Sequence, residues 1–215
     1  MQPSYIGTFE AHITVKADNL AVREKFNLLC QSLNVKCVVI KLPKGVTRSQ
    51  PMTASYHHGA LKDVLQQINA IAKIISKRNF EITRIKIEAM VSNRDIPISD
   101  IEAQKLPKSN YFEFHVKAIL SADENLEVLR KYCLQHDAHL STNALKQLVD
   151  GKQQRFITMR VYAVGYKSAQ KRFDNLLVIL KNKGFKLSQQ QREYTVYDSN
   201  LSLDAGWIGS QLGGK

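Results

Sequence analysis

The sequence predicts an α+β protein in which one β-α-β-β-α-β unit occurs twice, each copy folding as an antiparallel sheet with its helices on one face. Phe-Glu-x-His stands at Phe9, Glu10 and His12, and again 103 residues later at Phe112, Glu113 and His115, each time inside an apolar strand pattern. Cys30 recurs as Cys133 at the same spacing, and after a shift of two residues Thr53 matches Thr158, Phe80 matches Phe185 and Glu88 matches Glu193. The strand-like and helix-like patterns also follow one order in both halves, which is the mark of an internal repeat.

The first copy opens on a strand from Glu10 to Val15 and continues into a helix whose apolar residues Val22, Phe26, Leu29 and Leu33 recur at helical spacing. "VKCVVIKL" is rich in β-branched residues and reads as a strand. "KGVTRSQP" supplies turn chemistry before the strand "MTASYHH". From Gly59 onward, Leu61, Val64, Leu65, Ile68, Ile71 and Ile75 draw one apolar stripe along a long helix, and "TRIKIEAM" closes the unit as an alternating strand. The second copy follows with "YFEFHVKAI", a helix near Leu126–Cys133, "AHLSTNAL", "RFITMRVYA", a helix over Lys167–Lys183 and "REYTVYD".

Residues 93–107 carry two prolines and little periodicity, so they read as a linker between units 1–92 and 108–215, the second with a C-terminal tail. The element order resembles the ferredoxin-like split β-α-β fold in tandem. That topology hosts many functions, so function must come from the residues on its faces.

At 215 residues and 44% hydrophobic content the chain can bury a real core. Cys30, Cys37 and Cys133 are too few for a disulfide framework and lack metal-site spacing, which points to a reducing, cytoplasmic setting. No stretch approaches the roughly 18 apolar residues of a membrane span, so no membrane partner is expected. The net charge of +12 favours phosphate-bearing partners, either a phosphorylated small molecule or a nucleic acid.

Side chains alternate along a strand. With the apolar rows on the helices, Glu10, His12 and Thr14 lie on the open face, joined by Thr53, Ser55 and His57 and by Arg84, Lys86 and Glu88. The second unit offers Glu113, His115 and Lys117, then Thr158, Arg160 and Tyr162, then Glu193, with His139, Ser141 and Asn143 available from its second strand. If the units pack open face to open face, these residues line a polar cleft about a pseudo-twofold axis.

"AHITV" matches an apolar-His-apolar-Thr-apolar strand, and its duplication resembles the two-histidine phosphoesterases, in which two such motifs face each other across a cleft. The resemblance implies that His12 and His115 serve as general base and general acid while Thr14 binds phosphate. Lys117 stands where that family has Thr or Ser, and a lysine holds phosphate as a point charge. Ser55, Arg160, Arg84 and Lys86 are the further phosphate-contacting candidates, supported by Glu10, Glu113, Glu88 and Glu193. The expected function is binding of a nucleotide or RNA end, with hydrolysis or transfer of its phosphoester as the reaction such a histidine pair supports, and neither metal nor cofactor is assigned.

Three alternatives stand beside it. Glu113-x-His115-x-Lys117 is similar to the Glu-x-Glu-x-Lys strand of the triphosphate-tunnel enzymes, and Arg84-x-Lys86-x-Glu88 adds three charges on one strand face. Two Glu-x-His pairs also offer four ligands of types that zinc or manganese accepts. A non-catalytic nucleic-acid module would use Lys41, Lys44 and Arg48 in one turn and Lys146, Lys152 and Arg155 in the other. Trp207 is expected to anchor the C-terminal segment onto the core.

Overall fold

A computed structural model describes residues 3–121, 124–145 and 152–208. It is α+β, in the order β1 (Ile6–Val15), α1 (Leu20–Ser32), β2 (Lys36–Lys41), β3 (Ser49–Ala60), α2 (Leu61–Lys77), β4 (Ile82–Met90), α3 (Asp100–Ala103), β5 (Tyr111–Leu120), α4 (Leu126–Gln135), β6 (Ala138–Asn143), β7 (Gln153–Tyr162), α5 (Tyr166–Asn182) and β8 (Lys186–Asp198). A short 3-10 helix follows at Leu201–Asp204. Asn19 and Asn125 cap α1 and α4 by accepting the backbone N–H of Val22 and Glu127. The four long helices stop just before Asn34, Asn79, Asp137 and Gly184, all at positive φ. Asn, Asp and Gly tolerate that left-handed conformation best, and it ends a helix.

The strands β4-β1-β3-β2 are neighbours in the first half and β8-β5-β7-β6 in the second. Antiparallel pairing of β2 with β6 and of β4 with β8 joins them into one closed eight-stranded barrel. The expected open face is therefore a lumen, and the would-be cleft is the inside of one continuous sheet. Closure also removes the unpaired edges that two separate sheets would present.

Strand alternation sorts inside from outside. Phe9, Ala11, Ile13 and Val15 point outward, as do Phe112, Phe114, Val116 and Ala118, and they join Phe26, Ile68, Leu129 and Phe173 of the helices in one buried cluster. Each large apolar side chain fully buried there contributes about 1.5–3 kcal/mol. The main core is thus a shell between barrel and helices, while the barrel's own interior is polar.

The third strand corrects the expectation for Ser55, Thr53 and His57. Ala11 lies opposite Ser55 and Phe9 opposite His57, so these residues share the outward face. Ser55 Oγ meets His57 Nε2 at 2.9 Å, and His57 Nδ1 meets Gln67 of α2 at 2.8 Å. In β7, by contrast, His115 lies opposite Thr158 and Glu113 opposite Arg160, which turns Thr158 and Arg160 inward. The Thr53–Thr158 match is therefore one residue out of register, and a slip of one residue exchanges the two faces of a strand.

The segment 93–107 is tied down rather than plain coil. Ser99 and Glu102 form a reciprocal capping box at α3, and Asp100 accepts from the backbone N–H of Gly165 at 2.8 Å and from Ser168 Oγ at 3.1 Å, fixing the segment to the start of α5. A Cβ on Gly165 would stand 2.3 Å from the backbone carbon of Ser99. No helix among the described residues is long and apolar enough to cross a membrane.

Candidate functional site

The inward rows fill the lumen with charge, and the C-terminal segment caps one end. Asp204 enters between strands, its Oδ2 accepting from Arg84 Nη1 at 2.8 Å and Arg160 Nη2 at 2.7 Å, and its Oδ1 from Gln50 Nε2 at 2.7 Å. Arg84 also binds Asp198 through Nε at 2.9 Å and lies 3.2 Å from the Tyr111 hydroxyl. Burial alone would raise the Asp204 carboxyl, but Arg160, Arg84 and Gln50 outweigh it and hold the pKa at about 2. Trp207 packs with Leu42 and Ile208 and donates from Nε1 to the Leu140 carbonyl at 3.1 Å, so its anchoring site is this cap. His139 sits against the Trp207 ring, and burial, with Lys44 and Arg160 nearby, lowers its pKa to about 4.

In the middle of the lumen Lys86 joins the two halves. Its Nζ lies 2.8 Å from Glu113 Oε1 and 3.0 Å from Glu88 Oε1. Arg160 Nε binds Glu113 Oε2. Glu113 is buried, which opposes ionisation, yet Arg160 and Lys86 hold its carboxyl well below the usual range. Arg84, Lys86 and Arg160 are thus drawn onto the protein's own carboxylates, and Thr14, in register with Arg84, is buried at the capped end.

The other half of the lumen opens to solvent through both histidines, whose side chains are 16% exposed for His12 and 23% for His115. His12 Nδ1 lies 3.0 Å from the Thr53 carbonyl, which accepts only, so Nδ1 carries the proton. Its Nε2 then faces Glu88 Oε2 at 3.3 Å and Glu10 Oε1 at 3.7 Å. Burial lowers the His12 pKa, but Glu88 and Glu10 outweigh it, and the net shift is upward. His115 Nδ1 meets Thr158 Oγ1 at 3.0 Å, and its Nε2 lies 3.1 Å from Glu113 Oε1.

Glu193 and Glu10 share Gln191, whose amide donates to Glu193 Oε1 at 2.9 Å and to Glu10 Oε2. Tyr56 donates its hydroxyl to Glu10 Oε2 at 3.0 Å. Burial, then the charges of Glu88 and Glu10, push the Glu193 carboxyl well above the usual range. Glu88 moves the other way, because Lys86 and His12 offset its burial. One donor atom each from Glu88, His115 and Glu193 lie within 4.8 Å of one another. Lys117 sits further along β5, with Nζ 5.3 Å from the Phe156 ring centre and bonded to Gln189.

The structure therefore brings His12, His115, Glu10, Glu88, Glu113, Glu193 and Lys86 into one lumen, sets Thr14, Arg84 and Arg160 toward its capped end, and leaves Ser55 outside. Lys41, Lys44, Arg48 and Lys152 are exposed, while Lys146 lies outside the described residues. Sequence reasoning missed Asp198, Asp204, Tyr56 and Gln191. Asp198 could not be read from alternation, because a register shift between Ile87 and Glu88 against β8 changes the phase, placing Asp198 opposite Lys86 but Thr195 opposite Glu88. No known family model matches the chain, and no curated protein matches it in sequence.

Proposed function

We propose that the open half of the lumen binds a phosphorylated ligand, a nucleotide or an RNA end, and hydrolyses its phosphoester. The observation that carries this reading is the convergence of His12 and His115 on one partly exposed space, backed by buried carboxylates. His12 Nε2, set by the Thr53 carbonyl, gives its proton to the leaving oxygen as the phosphorus–oxygen bond breaks. The Glu88, His115 and Glu193 group activates the water whose oxygen bonds to phosphorus, its proton passing to Glu193, the carboxylate whose pKa burial raises. Lys117 at the mouth supplies a cation for the phosphate, and the net charge of +12 draws such ligands in.

The same reading takes the chain as a tandem duplication of a ferredoxin-like unit, 1–92 and 108–215, joined edge to edge. Its support is the matching strand order of the halves and the matching register, Glu10 opposite Glu88 in one and Glu113 opposite Glu193 in the other. The closed, charged barrel also favours a triphosphate-tunnel-like site, but the bonding of Arg84, Lys86 and Arg160 to carboxylates weighs against a polyphosphate in the middle of the lumen.

The test is hydrolysis of a phosphodiester and phosphomonoester panel by the full chain. Loss of a general acid costs on the order of 10²–10⁴ in rate, and the loss shrinks when the leaving group needs no proton. His12→Gln should therefore cripple alkyl or nucleoside esters and spare nitrophenyl esters. No turnover on any ester, or equal losses on both classes, contradicts the assignment.

A further inference from the structure

We infer that Glu88, His115 and Glu193 form a binding site for one divalent first-row transition-metal ion at the open half of the lumen; this deepens the proposed reading, in which the same group activates the attacking water. The three residues come from β4, β5 and β8, and only the closed barrel brings them together. Their donor atoms lie within 4.8 Å of one another. Ligand atoms about 2.1 Å from one tetrahedral ion stand about 3.4 Å apart, so side-chain rotations that bring the donors about an ångström closer together close the set.

A second observation is independent of that convergence. Glu88 is 1% exposed, and its Oε1 takes Lys86 at 3.0 Å and Thr195 at 3.4 Å. Its Oε2 is buried and accepts no hydrogen bond of ordinary geometry, its charged neighbour being His12 Nε2 at 3.3 Å. A buried acceptor left so is costly. A cation between Glu88, Glu193 and His115 satisfies that oxygen and separates carboxylates that otherwise crowd together. Thr158 Oγ1, 3.0 Å from His115 Nδ1, holds the imidazole in the manner of an outer-shell partner, and the ion takes Nε2 in place of the proton that faces Glu113 Oε1 at 3.1 Å.

The donor set selects the ion. One imidazole and two carboxylates suit Mn²⁺, Fe²⁺ or Zn²⁺. They are too few oxygens for Ca²⁺, which takes 6–8.

The full chain, stripped with chelator, is titrated with MnCl₂ and in parallel with ZnCl₂ by calorimetry. One equivalent is expected to bind, with affinity at least about ten-fold weaker in Glu88→Gln and in His115→Gln. The Mn²⁺-loaded parent should also show a nitrogen coupling by electron spin-echo spectroscopy, which does not depend on a variant folding. No uptake of either ion below about 1 mM, or uptake indifferent to Glu88→Gln and without nitrogen coupling, overturns the site. Stoichiometric metal with no ester turned over keeps the site and removes the hydrolytic reading. Equal turnover by stripped and loaded protein keeps the hydrolytic reading and takes the ion out of it.

Discussion

Lys86 Nζ lies 2.8 Å from Glu113 Oε1, a buried ion pair that runs from the last strand of the first half to the first strand of the second. It holds the barrel together through its polar middle. A lysine in such a place must be paired, because an uncompensated buried charge is far less stable than a hydrated one.

Lys86→Met should therefore destabilise the chain by about 3–5 kcal/mol in urea unfolding, since it strands Glu88 and Glu113 without their shared cation. A loss below about 1 kcal/mol, in the range of exposed pairs, would show that the lumen admits enough water to screen them.

Acid should loosen the cap first. Asp204 has a folded pKa of about 2 against an ordinary 3.8, so its contribution is complete above 3.8 and is lost as pH falls from there through 2. The shift corresponds to about 2 kcal/mol. Asp204→Asn should flatten that acid limb of the stability curve. His139 adds a higher window: its pKa of about 4 against 6.5 means the fold takes up fewer protons than the unfolded chain, so stability falls as pH drops from 6.5 toward 4. Trp207 fluorescence, read between pH 7 and 2 in parent and variant, follows both. A curve flat across this range would contradict the account of the cap.

Gly165→Ala places a methyl group 2.3 Å from backbone that cannot swing aside. It should cost about 1–3 kcal/mol by the overpacking mechanism and expose the 93–107 segment to proteolysis. An unchanged melting temperature would mean that α5 and the segment slide freely past each other.

The fold was legible wherever period and burial agree. Phe9 through Val15 and Phe112 through Ala118 announced their faces by strict alternation, and both rows are buried as expected. The placement of Glu10, His12, Glu113 and His115 followed from the same period. Whether two polar sheet faces look at solvent or at each other was not legible, because that depends on the pairing of β2 with β6 and β4 with β8, and a strand edge carries no side-chain pattern announcing its partner. Ser55 went astray because both faces of "MTASYHH" carry residues able to hydrogen-bond, so alternation there had no contrast to read. The capping box at Ser99 and Glu102 was written in the sequence as S-x-x-E, yet a helix of four residues is too short for periodicity to flag. Asp204 lay in a tail with no pattern at all; its role comes from Arg84 and Arg160, 120 and 44 residues away.

The most direct measurement of the central claim is the imidazole nitrogen spectrum of the full chain, titrated with a non-hydrolysable phosphodiester analogue. The chain has six histidines, and His57, turned outward onto α2, is an internal control. The account predicts shifts confined to His12 and His115, with the Nδ1 proton of His12 retained on the Thr53 carbonyl. Saturable binding that leaves both resonances unmoved would place the ligand elsewhere and contradict it.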